Sequence, residues 1–367
     1  MSEDRDALAL AERVMGILED GRRSSTYKLA LFTAILDLCV EKKFIKGIVP
    51  ESLTTRHIAQ RVVELYWNHV VPYRGIETLR QGGNRGEQAE IVRRIQEARA
   101  KWAKAETDTP YRASLAHGED FRRLVLEVEW KLIEWPIPRL QKLGQHEDRF
   151  IYDYAWREGI KRSTVRSYQL GEHGAFNNAL TLRHGVAEHL VRLNGILRPL
   201  FHREWAVMVA RRNELPEAEL ETFLFRPERV ALDTVRQPLR ELQEHRCFYC
   251  RDRITGRADV DHFIPWARYP DDGLDNLVVA DPKCNNKKRD FLAAAKHVER
   301  WKERLKADDS DLATIAASVG WRRDTERTTS IAKSIYSRLP LSTPLWVESS
   351  TFEPNVQGRI LAALEDR

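Results

Sequence analysis

The sequence predicts a mainly α-helical protein, interrupted once by a small strand–loop–strand–helix segment. Three observations carry this. Over the first 240 of the 367 residues, apolar side chains recur at helical spacing between breaks at Gly, Pro and polar clusters. Residues 247–290, CFYCRDRITGRADVDHFIPWARYPDDGLDNLVVADPKCNNKKRD, instead contain two short strand-like runs, ADVDHFI and NLVVA, around a loop rich in Pro, Asp and Gly. Helical patterning resumes after residue 290, and the chain is too long for one simple core.

Taken in order, segment 6–19 has helical periodicity, and Ser24 or Ser25 can cap a second helix whose Leu29, Phe32, Ile35, Leu36 and Cys39 share one face. That placement makes Cys39 a small buried hydrophobe. A third helix runs from Thr55 to about His69. The stretch around Gly82, Gly83 and Asn84 reads as a loop, followed by a helix from about Glu87 to Lys104. Thr107 to Pro110 is a break. Segment 119–134 is amphipathic and is closed by Pro136 and Pro138. Segment 150–213 mixes aromatic residues with basic ones, and Tyr152, Tyr154 and Trp156 are expected in the core rather than as base-stacking platforms. A helix over about 228–244 leads into the cysteines; further helices are expected at 291–306, at 328–337 and, briefly, after Pro344. The expected divisions are helical subdomains 1–110 and 111–235, a compact segment 236–306 and a helical extension 307–367.

Composition narrows the partners. With 42% hydrophobic and 31% charged residues the chain is globular, not disordered. Its net charge is +5, from 60 basic and 55 acidic residues. Residues 241–367 hold 21 of each sign, so the excess lies in 1–240. Within it, 157–212 carries ten basic residues against four acidic ones, which permits a nucleic-acid surface; Arg162 and Arg166 are the candidate contacts. The pairs Glu172–His173 and Glu188–His189 have no third group at ligand spacing and are expected at the surface. Arg22 and Arg23 before Ser24 could meet a phosphate, although a plainly capped helix is the simpler account. Four cysteines exclude a disulfide scaffold. The N-terminus lacks a secretory pattern, and Leu29 to Val40, broken by Asp37, is too short to span a bilayer, so a cytoplasmic protein with no membrane partner is expected. Cys247, Cys250 and Cys284 cluster within 38 residues, which in a reducing compartment points to metal.

The segment Asp261–His262, Pro265, Asn276, Cys284–Asn285 and Lys288 resembles the HNH endonuclease family, and also the nuclease domain of RNA-guided CRISPR effectors, over some 45 to 60 residues. The resemblance implies a ββα-metal fold gripping one divalent ion. Its chemistry suits these residue types: a neutral imidazole can deprotonate water near pH 7, and a cation stabilises charge on the phosphate. It assigns His262 as the base, Asp261 and Asn285 as metal ligands, and Asn276 as the residue that bridges backbone groups and aims the histidine loop. Lys287, Lys288 and Arg289, at the helix, would meet nucleic-acid phosphates. The third family position is Asn285 here, an HNN variant; amide and carboxylate oxygens favour Mg²⁺ or Mn²⁺ over Zn²⁺.

Family members often carry two Cys-x-x-Cys knuckles. The first is intact at Cys247 and Cys250, while the second reads Asp281-Pro-Lys-Cys284. A structural Zn²⁺ would take the three thiols plus Asp281, His245 or His297; the alternative is a reduced set of cysteines packed in a small core. The functional expectation is a metal-dependent endonuclease that nicks duplex DNA. The layout resembles antiphage defence effectors, in which case 1–240 gates the nuclease, binds DNA or docks on protein partners. The alternatives are action on RNA or branched DNA, or a non-catalytic nucleic-acid-binding or assembly protein with a relic module.

Overall fold

The computed structural model describes residues 2–19, 25–46, 49–83, 87–104, 108–143, 146–172, 176–225 and 232–365. Arg22, Arg23, Ser24 and His173 lie outside them. The chain divides into two compact units, 1–226 and 227–367.

The first unit contains α1 (Ser2–Glu19), α2 (Tyr27–Lys46), β1 (Ser52–Thr54), α3 (Thr55–Trp67), α4 (Glu90–Trp102), α5 (Pro110–Ala116), α6 (Gly118–Glu134), α7 (Pro136–Arg139), β2 (Lys142–Leu143), β3 (His146–Glu147), β4 (Tyr152–Tyr154), α8 (Arg162–Gln169), β5 (Ala179–Leu182), α9 (Val186–Asn213) and α10 (Glu217–Phe225). Local chemistry sets several helix starts. Thr54 caps α3 by accepting from the His57 N–H, and Thr109 caps α5 just ahead of Pro110 at its first position. The apolar side chains of α2 are buried between α9 and α3, with Phe32 stacked on Phe201 at 3.9 Å. Helix α3 also packs on α6, which joins sequence on both sides of residue 110 in one core. An antiparallel sheet, order β1-β5-β4, pairs Ser52 with Thr181 and Tyr152 with Leu182. The aromatic residues Tyr152, Tyr154 and Trp156 are core, as is Cys39.

Several polar groups buried in this unit are matched. Arg198 meets Asp37 at 2.5 Å, both nearly inaccessible. Glu129 accepts from Thr55 Oγ1 at 2.7 Å, Arg56 Nε at 2.8 Å and Gln169 Nε2 at 3.0 Å. Gln81 Oε1 accepts from Trp205 Nε1 at 2.7 Å and Thr26 Oγ1 at 3.0 Å. Without such partners each group would cost the full penalty of desolvation.

The second unit contains α11 (Asp233–Leu242), β6 (Asp259–His262), β7 (Leu277–Ala280), α12 (Pro282–Lys288), α13 (Ala295–Ala307), α14 (Asp309–Val319), α15 (Thr325–Ser337), β8 (Pro344–Glu348), β9 (Thr351–Pro354) and α16 (Gln357–Leu364). Strands β6 and β7 form an antiparallel hairpin that pairs Asp259 with Ala280, Asp261 with Val278 and His262 with Leu277. Both strands are shorter than the runs in the sequence, and a 3₁₀ turn over Leu274–Asn276 takes the first residue of the β7 run. Helix α12 begins two residues before Cys284, and the Asp281 carboxylate caps it by accepting from the Lys283 N–H at 2.8 Å. Gln243, just beyond α11, exchanges two hydrogen bonds with the backbone of Val279, so the centre of β7 is tied down from both sides. Phe263 stacks on Trp301 of α13 at 4.6 Å. Among the described residues, no helix is long and apolar enough to cross a membrane.

Candidate active site and metal centres

The residues singled out in the sequence meet on the hairpin, the loop between its strands, and α12. Alternation along β6 turns Asp259 and Asp261 to one face. Asn285 of α12 reaches that face, donating from Nδ2 to Asp259 Oδ2 at 3.2 Å. Asp261 Oδ2 takes Lys288 Nζ at 2.9 Å and the hydroxyl of Tyr249. Burial and the neighbouring Asp261 carboxylate push the Tyr249 phenol well above its ordinary pKa, which keeps it a donor.

Lys288 is completely buried, and its ammonium also donates to the His262 carbonyl at 2.9 Å. It was expected to face phosphates. It faces inward instead, because at the end of α12 it packs against β6, where the Asp261 carboxylate and the His262 carbonyl satisfy it. Lys287 and Arg289 on the same segment are exposed.

His262 ends β6 and is largely buried. Its Nε2 lies 2.8 Å from Asp272 Oδ1, and its ring meets Trp266 edge-on at 5.4 Å. A carboxylate can only accept, so Nε2 is the donor, and in the neutral ring Nδ1 is the basic nitrogen. The loop that holds Asp272 is closed by Asn276, which is fully buried. Asn276 Oδ1 accepts from Ile264 N at 2.8 Å, and Nδ2 donates to Ile264 O at 3.1 Å and Asp271 O at 2.9 Å. The Asn276 carbonyl accepts from Phe263 N at 2.7 Å.

The same loop is gripped from residues far along the chain. Asp271 Oδ1 accepts from Arg322 at 2.6 Å and Arg327 at 2.8 Å, and Oδ2 accepts from Thr328 Oγ1 at 3.0 Å. Burial alone would raise the Asp271 pKa, but Arg327, Arg322 and the Gly273 N–H outweigh it and hold the carboxyl below its usual range. Asp275 Oδ1 accepts from Arg323 Nε and Thr325 Oγ1, each at 3.0 Å, and Oδ2 accepts from Asp324 N at 3.0 Å. Trp321 Nε1 donates to Asp272 O at 2.6 Å, and Trp301 Nε1 to Asp275 O at 2.8 Å.

Two donor sets could hold metal. Asp259, Asp261 and the Asn285 amide offer hard oxygen ligands of the kind that suit Mg²⁺ or Mn²⁺. The second set is sulfur. The thiol atoms of Cys247, Cys250 and Cys284 lie within 4.8 Å of one another, and a zinc ion with Zn–S bonds of about 2.3 Å needs sulfurs roughly 3.8 Å apart. The Cys284 thiol and backbone N–H groups of Asp281, Cys250 and Tyr249 pull the Cys247 thiol down to about 6, which favours the thiolate a metal requires. The three cysteines therefore fit zinc at three of four corners.

Among the described residues, none of the expected fourth ligands joins them. The Asp281 carboxylate caps α12. His297 is buried, hydrogen-bonded through Nε2 to Val347 O at 2.7 Å and stacked on Trp346, and burial brings its pKa down to about 4. His245 ends a turn in left-handed backbone, φ 57°.

The basic run of the first unit is partly absorbed. Arg198 is in the core, Arg162 pairs with Glu127 at 2.6 Å and Arg183 with Asp153 at 2.8 Å, whereas Arg157, Lys161 and Arg166 are exposed. Sequence reasoning missed Asp259, Asp272, Tyr249 and the arginine grip. Signals existed for some: the i, i+2 carboxylates of DVDH share a strand face, and DDGLD has a basic counterpart in WRRDTER.

Such a hairpin and helix, with a buried histidine, an amide-closed loop and a cysteine knuckle, define an HNH domain, and residues 247–294 match the model of the HNH endonuclease family. Residues 7–224 match a second model, described as Domain of unknown function (DUF8808). That match spans more than half of the sequence, and the chain belongs to this family. No curated protein and no solved structure matches it.

Proposed function

We propose that this protein is a metal-dependent endonuclease that hydrolyses DNA phosphodiester bonds, one strand per site. The observation that supports this most is His262, with Nε2 committed to Asp272 and Nδ1 left to take a proton, on the same hairpin as the carboxylates of Asp259 and Asp261. His262 Nδ1 removes a proton from water, and the resulting hydroxide attacks phosphorus. Asp259, Asp261 and Asn285 would hold Mg²⁺ or Mn²⁺, which supplies positive charge at the scissile phosphate and leaving oxygen. Asn276 keeps the loop closed. Lys287 and Arg289 are exposed cations beside the hairpin that can meet backbone phosphates, and Arg166 is an exposed cation of the first unit taken by itself; duplex DNA is the substrate the proposal names. Zinc at the cysteines would be structural. The layout of a long helical region and a small nuclease supports a role in antiphage defence, with 1–240 serving to gate, bind DNA or dock on a protein partner.

Supercoiled plasmid incubated with Mg²⁺, Mn²⁺, Zn²⁺ or no metal tests the proposal, alongside tRNA, single-stranded and four-way-junction substrates. Open-circular product with Mg²⁺ or Mn²⁺ is expected. Linear product formed without an open-circular intermediate would overturn the nicking claim, activity confined to Zn²⁺ would overturn the choice of hard ion, and preference for tRNA or junctions would reassign the substrate. No cleavage of any substrate would refute the enzyme assignment.

A further inference from the structure

We infer that Asp272 is the positioning residue for His262, and that the segment Trp321–Thr328, outside the part of the chain matched to the HNH family, holds Asp272 in place. The inference rests on the nuclease proposal for its kinetic consequence but not for its geometry.

An imidazole that serves as a base must present one ring nitrogen unprotonated, in a fixed direction. A histidine at the end of a strand has no intrinsic means of choosing between its tautomers. Here Asp272 Oδ1, 2.8 Å from Nε2, makes that choice, since a carboxylate accepts only from the Nε2–H form. The remaining nitrogen, Nδ1, is then the basic one.

Asp272 itself lies in a loop with little regular structure, so its aim depends on what holds the backbone. Its two acidic neighbours in the loop, Asp271 and Asp275, do not point at the histidine. They are bound by Arg322, Arg327 and Thr328, and by Arg323 and Thr325, respectively. Trp321 Nε1 holds the carbonyl of Asp272, and Leu274 N donates to the carbonyl of Arg322 at 2.9 Å. Three acids in a five-residue loop would repel one another; two are neutralised by arginines and the third is left for the imidazole. The asymmetry in burial agrees: the Asp271 and Asp275 side chains are 2% and 0% exposed, while that of Asp272 is 22% exposed.

Two measurements test this. Histidine-selective ¹⁵N NMR of the full chain reads the tautomer directly, with the His262 signal assigned by its loss in His262→Ala. The expected wild-type signature is protonated Nε2 and unprotonated Nδ1, and Asp272→Asn should shift it to a tautomer mixture. A wild-type Nδ1–H tautomer, or a signature unchanged by Asp272→Asn, overturns the inference whether or not the protein cuts DNA. In the plasmid assay, Asp272→Asn should lower kcat by about a hundredfold or more, as loss of an orienting carboxylate does in a catalytic triad, with KM and thermal stability unchanged. Asp272→Glu should recover part of the loss. A kcat for Asp272→Asn within about twofold of an active wild type would also overturn it. An inactive wild type instead refutes the nuclease proposal, and the NMR result still decides the role of Asp272.

Discussion

In residues 1–226 the buried charges join helices to one another: Asp37 of α2 meets Arg198 of α9, and Glu129 of α6 gathers Thr55, Arg56 and Gln169 from α3 and α8. In 227–367 they converge on one hairpin and its loop, where Asp261, Lys288, His262, Asp271, Asp275 and Asn276 are all buried. The first pattern fastens a scaffold at scattered points. The second spends desolvation on a few residues gathered at one place, each held in a fixed orientation by its partners. The difference separates two kinds of buried charge that the sequence alone cannot tell apart.

The comparison can be broken by mutation. The largest expected effect is on rate: His262→Ala should reduce plasmid nicking by about 10²–10⁴-fold while the unfolding midpoint stays at the wild-type value. Its counterpart Asp37→Ala should do the reverse, costing about 3 kcal/mol in chemical denaturation because Arg198 loses its buried partner, with nicking per folded molecule unchanged. If Asp37→Ala abolished cutting in folded protein, the contrast between the units would collapse.

Asp271→Asn lies between these cases, as a structural pair built into the active-site loop. It should cost about 3 kcal/mol by stranding Arg327 and Arg322. Because the folded pKa of Asp271 is lowered, the contribution of its charge is fully present above the ordinary carboxylate range near 4 and is lost as pH falls below it. Denaturation of wild type and variant from pH 7 to 3 should therefore give a constant gap above about pH 5 that narrows only below about pH 4. A gap that closed already at pH 6 would point to another group.

The smallest effect is at Asp281. Asp281→Ala should remove a helix cap worth about 1 kcal/mol and leave the zinc content of the purified protein unchanged. Loss of zinc in that variant, measured by elemental analysis, would restore the carboxylate as a ligand.

Much of this molecule was legible in its sequence where a local rule operates. The 3.6-residue period located α1 to α4 and α6, and the Asp261–His262, Asn276 and Asn285 spacing located the hairpin. Elements set by distant pairing were not. Strand β1 is three residues long and pairs with β5 some 130 residues later, so neither has room for an alternating pattern. The two-residue strands β2 and β3 and the hairpin of β8 and β9 likewise carry too little periodicity to be seen. The site split along the same line. Residue types and spacing singled out His262 and Asn276, but not that Asn285 would lie against Asp259, that Lys288 would turn inward, or that Arg322 and Arg327 would reach across about 50 residues to Asp271. Charge complementarity between DDGLD and WRRDTER was visible, but electrostatics alone does not choose partners among 60 basic residues.

The grip of Trp321–Thr328 on Asp271–Asp275 also bears on how this HNH domain can be moved between proteins. The stretch that sequence comparison recognises ends at residue 294, yet the acceptors of its central loop find their donors more than 25 residues beyond that border. A graft or minimal fragment cut at the recognised edge would carry the HNH residues without the fastenings that hold their loop. Transfer of this domain should therefore include the chain to Thr328, which the compact unit 227–367 contains.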